Sequence, residues 1–316
     1  MTVLERAKRL RPPMREYAAL LEKCFPAQAL SSLQSLLVAW EAVADETNVS
    51  ELTWLTLASI LRECSPVGTA QWQYVLPKKE KAKSADPYQA FAAKVDLMCK
   101  DMVVRQHMPL GPEAVVHRDD ARLCSSVPDG WADLVVTSPP YANNYDYADA
   151  TRLEMTFFGE VSDWRDLQKA VRTYLVRSCT QHAAPLMPQT SDIVGGPLLR
   201  PIQSEISQQC ELLSVQREKH GGRKPYHTMI AAYFTDMANF WVTLRRVTAE
   251  NSLVCLVVGD SAPYGVHIPV DQWLGRLAVA AGFGSYHFEK TRDRNVKWKN
   301  RKHRVPLQEG RLWVQG

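Results

Sequence analysis

The residues best suited to chemistry form one short run, Asp133-Leu134-Val135-Val136-Thr137-Ser138-Pro139-Pro140-Tyr141. The three apolar residues after the acid predict a short buried strand. Two prolines cannot continue a central strand, because they donate no backbone hydrogen bond. The strand must therefore end at Thr137, and the next residues form a stiff loop at its carboxyl end. In open α/β sheets, ligands bind at that edge.

The loop presents acceptors and an aromatic ring. Because Pro139 has no N–H, the backbone here offers carbonyl oxygens with little competing donor, and Ser138 adds a hydroxyl. Such acceptors suit the two N–H bonds of an exocyclic amino group on a flat heterocycle, and holding them turns the nitrogen lone pair towards an electrophile. Tyr141 can stack on the heterocycle. The alternative is a proline-rich turn in which Tyr141 only packs; the preceding strand and Ser138 favour the chemical interpretation.

The run from Asp133 to Tyr141 resembles the catalytic motif of the amino-methyltransferases that modify DNA bases. These enzymes use S-adenosylmethionine (SAM) to methylate cytosine N4 or adenine N6. The Ser-Pro-Pro-Tyr form is similar to the cytosine-N4 group, whereas adenine enzymes more often carry Asp or Asn before the prolines. The similarity continues through 142–154 and resumes at Val257-Val258-Gly259-Asp260-Ser261, with Gly265 and Pro269. It covers roughly the segment from Val115 to the C-terminus.

The resemblance implies an α/β fold: a class I methyltransferase, Rossmann-like sheet, complete or incomplete, with an N-terminal helical extension. We expect the extension at 1–110 and the catalytic domain at 111–316. Within that domain we expect an irregular, DNA-contacting insertion at about 180–226 and a basic C-terminal hairpin at about 287–316.

The resemblance also implies roles for individual residues. The catalytic set is Ser138, Pro139, Pro140 and Tyr141. Ser138 and the Pro139 carbonyl would hold N4, Tyr141 would stack on the base, and N4 would attack the methyl group of SAM without a cysteine nucleophile. Thr137 and Asp120 are the candidate cofactor contacts. Asp120 lies in a turn similar to one near the cofactor in these enzymes, after a strand predicted at 114–118; a helix cap or an ordinary turn is the alternative.

One expected motif is missing. A SAM site needs a glycine-rich turn after its first strand and an acidic residue further on for the ribose. The resembling enzymes carry an Asp-Pro-Phe-x-Gly-x-Gly-type segment, which no glycine of this chain reproduces after a suitable strand. Either the turn is heavily altered, or the enzyme is split. We expect a split enzyme, in which a second polypeptide carries the Gly-rich SAM-binding motif.

Two groups of residues suit a flipped base and DNA. Asn143, Asn144 and Tyr145 follow the loop directly and can supply edge hydrogen bonds and stacking. Basic residues near the end of the insertion and in the tail form the electrostatic footprint for double-stranded DNA, with solvated loops as the alternative. They are Arg223, Lys224, Arg292, Arg294, Lys297, Lys299, Arg301, Lys302 and Arg304.

Composition sets wider limits. A chain of 316 residues with 46% hydrophobic content can bury a real core in one large or two small domains, and its net charge of +4 is mild. Seven cysteines without a C-x-x-C pair indicate reduced thiols in a cytoplasmic protein. No metal is implied, because no cluster has ligand spacing. No apolar run is long enough to span a membrane, and the N-terminus does not resemble a signal peptide.

Periodicity supplies the remaining elements. Apolar spacing predicts helices in the first hundred residues, around 164–175, at 227–247 and from Pro269 to Gly282. Ser252–Val258 reads as a central strand and 311–315 as a closing strand. The lysine-rich stretch from Lys78 to Lys83 predicts a loop.

The sequence therefore predicts a site-specific DNA methyltransferase acting on cytosine N4 in duplex DNA by base flipping, or the catalytic and DNA-recognition subunit of a split one, as in restriction-modification systems. Adenine-N6 methylation is the nearer alternative. A catalytically silent DNA-binding or specificity subunit is the second, and methylation of an RNA amine is a third. The recognition sequence, the partner and the biological role stay open.

Overall fold

The computed structural model describes residues 2–10, 16–69, 75–81, 83–109, 111–294 and 305–316. The chain folds into two compact units, 1–114 with 147–170, and 115–146 with 171–316. Within the described ranges, no helix is long and apolar enough to cross a membrane.

The first unit is mainly helical, as the periodicity predicted. Several helices begin with side-chain caps: α1 carries a capping box between Thr2 and Glu5, and Asp86 caps α5 ahead of Pro87. The elements are α1 (Val3–Arg9), α2 (Ala19–Cys24), α3 (Ala27–Glu41), α4 (Asn48–Cys64), β1 (Val67–Thr69), β2 (Val75–Glu80), α5 (Pro87–Gln106), α6 (Tyr147–Ala150), α7 (Arg152–Phe157) and α8 (Leu167–Ala170).

The core of this unit lies between α3 and α4, and α7 adds Leu153 and Phe157 to it. On α4 the buried members are Leu57, Ile60 and Leu61. Arg62 on α4 forms an ion pair with Glu154 on α7 at 2.5 Å. The loop predicted at 78–83 is wrong in its first half, because the backbone of β2 pairs with β1. The helix predicted at 164–175 is also wrong. Only α8 and a 3-10 turn at Arg172–Tyr174 form there, and Trp164 is exposed.

The second unit combines helices with four strands in its described residues. Its elements are β3 (Ala132–Thr137), α9 (Thr180–Ala183), α10 (Thr190–Gly195), α11 (Gln203–Lys219), α12 (Tyr226–Val247), β4 (Thr248–Gly259), α13 (Val270–Ala280), β5 (Ser285–Arg294) and β6 (Leu307–Gln315), with further 3-10 turns at Ala184–Gln189, Pro197–Ile202 and Pro263–Gly265. The predictions of strands at 133–137, 252–258 and 311–315 and of helices at 227–247 and after Pro269 are confirmed.

Helix α12 is the centre of this unit. Apolar side chains cover most of its circumference, as expected for a helix buried on nearly all sides. Tyr233, Phe234 and Trp241 are completely buried, and α13 contributes Trp273 to the same core. The Phe234 and Trp273 rings pack edge to face with centroids 4.9 Å apart.

The sheet has the order β3-β4-β6-β5. Strands β3 and β4 are parallel, whereas β6 runs antiparallel to both β4 and β5. The unit is therefore mixed α/β with a four-stranded mixed sheet, an arrangement compatible with a methyltransferase fold. Helices α12 and α13 pack on the face that carries Val254, Leu256 and Val314.

The opposite sheet face is partly open near β3. Leu134 is 59% exposed and Val136 68%, and their neighbour on β4, Leu253, is 40% exposed. Among the described strands, β3 pairs only with β4, so it forms an edge of the sheet. Parallel strands are usually buried on both faces, which makes this edge unusual.

Two sequence predictions fail around this sheet. The strand predicted at 114–118 is absent: that segment has no regular structure, and Val115 and Val116 are 74% and 93% exposed. β-branched residues favour a strand only where a neighbouring strand accepts their hydrogen bonds. The irregular chain predicted over 180–226 is also wrong, because α9, α10 and the 17-residue α11 occupy most of it. The buried residues of α11 are Ile206, Cys210 and Leu213, which recur at helical spacing.

Candidate active site

The loop from Ser138 to Tyr141 leaves the carboxyl end of β3, beside the end of β4. The strand ends at Thr137, as the prolines predicted. The Ser138 hydroxyl donates to the carbonyl oxygen of Val257 on β4 at 3.2 Å, although the residue remains exposed. This places a hydroxyl and the proline carbonyls at the edge where ligands bind in α/β sheets.

Tyr141 is half-buried against the hairpin of β5 and β6. The guanidinium carbon of Arg294 lies 5.1 Å from the centre of the Tyr141 ring. Burial raises the pKa of the Tyr141 phenol, and the nearby Glu309 carboxylate raises it further, while a hydrogen bond with Ser138 and the charge of Arg294 act in the opposite direction. The phenol therefore stays protonated at neutral pH.

The chain after Tyr141 is held by its own amides. Asn143 Oδ1 accepts from the backbone N–H of Tyr145 at 3.1 Å. Asn144 adopts a left-handed conformation with φ of 67°, and its Oδ1 accepts from the N–H and the hydroxyl of Thr180 at 2.8 and 2.7 Å. The carbonyl oxygens of both predicted base-contacting amides are thus engaged in shaping the loop.

A buried ion pair anchors the end of this loop. Arg172 Nη2 lies 2.6 Å from Asp146 Oδ2, and both side chains are almost completely buried. On the opposite side, the Ser261 hydroxyl, just after β4, donates to the carbonyl oxygen of Ala142. The loop is thereby fixed to both the segment after Val171 and the end of β4.

A second buried carboxylate, Asp236 on α12, binds two arginines. The side chain of Arg177 donates to both oxygens of Asp236, and Arg122 Nη1 lies 3.5 Å from Asp236 Oδ1. Arg122 also pairs with Asp120 at 2.6 Å. The hydrogen bonds from the Arg122 side chain lower the pKa of the Asp120 carboxyl. The structure therefore places the predicted cofactor residue Asp120 in an internal ion pair.

Two carboxyls and an imidazole lie together just beyond β4. His267 Nε2 lies 3.1 Å from Asp260 Oδ2, and this contact raises the pKa of His267. Asp260 and Asp271 are both buried. Burial, followed by the neighbouring charge of Asp260, raises the pKa of the Asp271 carboxyl. Asp271 therefore keeps its proton to a higher pH than an exposed aspartate does.

The predicted DNA-binding cations occupy different surroundings. Arg223 and Lys224 are exposed in the turn between α11 and α12. Arg292 is 68% exposed and pairs with Glu309, whereas the Arg294 side chain is only 14% exposed. The other five predicted cations lie outside the described residues: Lys297, Lys299, Arg301, Lys302 and Arg304.

Sequence reasoning did not find Glu309 or the buried pairs. For the pair at Asp236 the sequence does hold a local sign, because a carboxylate within an apolar helical stripe requires a buried partner. That partner, Arg177, is 59 residues away in sequence, and no local pattern identifies it.

The described residues fit SAM only in part. Thr137 lies at the end of β3 as a cofactor contact would, but the Asp120 carboxylate is already paired with Arg122. In the described part of the chain, the segment before that turn has no regular secondary structure. Of the two predicted cofactor contacts, Asp120 is thus engaged within the protein.

Comparisons with known proteins point to methyltransferases. The chain is 28% identical over 167 residues to "Type II methyltransferase M.BsoBI" of Geobacillus stearothermophilus, covering 49% of this chain and 32% of that protein. It is 29% identical over 155 residues to "Type II methyltransferase M.AvaI" of Nostoc sp. and to that of Anabaena variabilis, covering 48% of this chain and 30% of each relative. The chain thus spans about a third of the length of these curated relatives. No protein-family model and no solved structure matches it.

Proposed function

We propose that this chain is the catalytic and DNA-recognition part of a SAM-dependent DNA methyltransferase that modifies the N4 amine of cytosine. The observation that carries the proposal is the Ser-Pro-Pro-Tyr loop, which leaves β3 at the carboxyl edge with an exposed hydroxyl and a braced ring. The similarity to Type II methyltransferases supports the same reaction class.

The loop residues have separate tasks in this proposal. The target cytosine is extruded from the duplex, which costs a few kcal/mol. Ser138 and the Pro139 carbonyl accept the two N–H bonds of N4, which fixes the direction of the nitrogen lone pair. Tyr141 stacks on the base. SAM supplies an electrophilic methyl group when it is bound.

We further propose that a second polypeptide carries the Gly-rich motif that binds SAM and completes a Rossmann-like sheet beside β3. Three observations support this: β3 is an edge strand, Leu134 and Val136 on it are exposed, and the described segment before Asp120 provides no strand. An exposed apolar edge is a template for pairing with another chain.

The DNA contacts follow from charge. Arg223, Lys224 and Arg292 are exposed cations on the second unit. Together with the basic residues of 295–304, they would neutralise phosphates of the duplex. Binding should therefore weaken steeply as salt is raised.

The reaction can be tested with labelled SAM and a long unmodified duplex of mixed sequence, with the chain alone and with a co-expressed partner. Base analysis should then show N4-methylcytosine. The double variant Ser138→Ala with Tyr141→Ala should abolish it, while Ser162→Ala with Tyr174→Ala, at exposed positions outside the motif, should not. If N6-methyladenine is detected instead, the target is adenine and the cytosine assignment is wrong. Methylation unaffected by the loop variant would refute the catalytic assignment, and a DNA-binding complex that transfers no methyl group would favour the silent subunit.

Calorimetry with SAM tests the split. We expect no saturable binding by this chain alone, and binding once the partner is present. Leu134→Lys with Val136→Lys should prevent partner assembly without unfolding the chain, because both side chains are already exposed. Saturable SAM binding by the chain alone would refute the two-polypeptide arrangement.

A further inference from the structure

The base-stacking tyrosine is held from behind by an arginine of the C-terminal hairpin. Arg294 is the last residue of β5, and its guanidinium lies 5.1 Å from the centre of the Tyr141 ring. A cation over an aromatic face within about 6 Å is attracted by the ring's quadrupole. Tyr141 is only partly buried, so Arg294 does not enclose the ring.

Arg294 is itself fixed by two further contacts. Its Nη1 donates to the carbonyl oxygen of Asp260 at 2.8 Å, and its Nε lies 3.7 Å from Glu309 Oε2. Asp260 directly follows β4 and Glu309 lies on β6, so the sheet positions both partners. The guanidinium is therefore a rigid support rather than a mobile surface cation.

The backbone leaves room for this arrangement. A Cβ atom on Gly259 would lie 2.7 Å from Arg294 Nη1, so any larger residue at the end of β4 would displace the guanidinium. On β5, the pairing register shifts between Lys290 and Arg292 opposite Gly310 and Glu309. Such bulges re-aim side chains near functional sites.

We propose that Arg294 is a positioning residue: it binds one face of the Tyr141 ring so that the opposite face is presented to the extruded base. This role rests on the proposed function. It also changes the assignment of Arg294 made from sequence, since a side chain committed to Tyr141, Asp260 and Glu309 is not available to DNA phosphates. The Arg292 side chain, two residues earlier, is 68% exposed and is still accessible to DNA phosphates.

The test uses the form that transfers methyl groups, either this chain or this chain with the partner that restores SAM binding. Arg294→Ala should lower the single-turnover rate at saturating DNA about ten-fold, which lies between the effects expected for an exposed and for a desolvated cation–π contact. The dissociation constant for DNA should change by less than about two-fold. Arg294→Lys should recover only part of the rate, because it keeps the charge but loses the planar fork.

Arg311→Ala is the matched control. Arg311 lies on β6 of the same hairpin and pairs with the exposed Glu289 at 3.2 Å. We expect its rate and its DNA affinity to equal those of the wild type. Thermal unfolding of each variant establishes that the fold is intact.

A second readout does not depend on activity. With 3-fluorotyrosine at position 141, Arg294→Ala should shift the fluorine resonance in the absence of DNA, and Arg311→Ala should not. The proposal is overturned if Arg294→Ala leaves the resonance unchanged, or if it weakens DNA binding while the rate at saturating DNA is preserved. If the wild type transfers no methyl group, the proposed function fails. An unshifted resonance in Arg294→Ala would independently refute the contact between Arg294 and the Tyr141 ring.

Discussion

The buried pair of Asp146 and Arg172 allows a sharp prediction about stability. The side chains are 6% and 2% exposed, and the closest N–O distance is 2.6 Å. Removing one partner of such a pair leaves the other charge buried, which costs about 3–5 kcal/mol. Asp146→Ala should lower the free energy of unfolding by that amount. In a unit of 150–250 residues each kcal/mol lowers Tm by about 2–4 °C, so the transition should fall by roughly 6–20 °C.

Calorimetry and urea titration of purified variants measure this loss. Asp163→Ala is the control, because Asp163 also pairs with an arginine but the two side chains are 46% and 86% exposed. It should leave Tm nearly unchanged. The double variant Asp146→Leu with Arg172→Met should recover most of the loss, since apolar groups of similar size replace buried pairs well. A single variant within about 1 kcal/mol of the wild type would refute the reasoning.

Three further predictions concern individual side chains. Burial lowers the pKa of His182 to about 4. Because the pKa of histidine in the unfolded chain is about 6.5, the free energy of unfolding should fall as pH drops from about 6.5 to about 4. In urea titrations, His182→Gln should make the free energy of unfolding less dependent on pH over this range. Burial raises the pKa of the Cys64 and Cys210 thiols to about 12, whereas Cys99 is exposed, so Cys99→Ser should remove the fast phase of thiol labelling at pH 8. Asn144→Gly should retain more stability than Asn144→Ala in thermal melts, because alanine loses the Thr180 contacts and also adds about 1–2 kcal/mol of left-handed strain; equal losses would contradict this.

Local chemistry predicted much of this fold. The prolines after Thr137 marked the end of β3, and apolar patterns located α12, β4 and β6 because each carries several buried apolar side chains. α11 was missed because only Ile206, Cys210 and Leu213 mark its buried side, within a polar sequence that follows several prolines. The strand expected at 114–118 depended on a neighbouring strand, which no local pattern guarantees.

The candidate site also combines residues that a local motif identifies with residues that no local pattern identifies. Ser138 and Tyr141 could be proposed from sequence because one continuous motif carries them. Their supports come from distant parts of the chain: Arg294 reaches Tyr141 from β5, and Glu309 from β6. Such pairings depend on sheet register, and a single sequence does not encode register locally. The roles of the basic residues at 297–304 remain predictions.

The parallel pairing of β3 with β4 has a consequence for biosynthesis. Ser138 and its partner Val257 are separated by 119 positions in sequence. At a synthesis rate of about 5–20 residues per second, β3 waits on the order of ten seconds for its partner strand to emerge from the ribosome. During that interval its apolar side chains lie in a nascent chain of high contact order, which is slow to fold and prone to aggregate. Production of this protein should therefore depend on chaperones that bind nascent chains, more than its final stability would suggest.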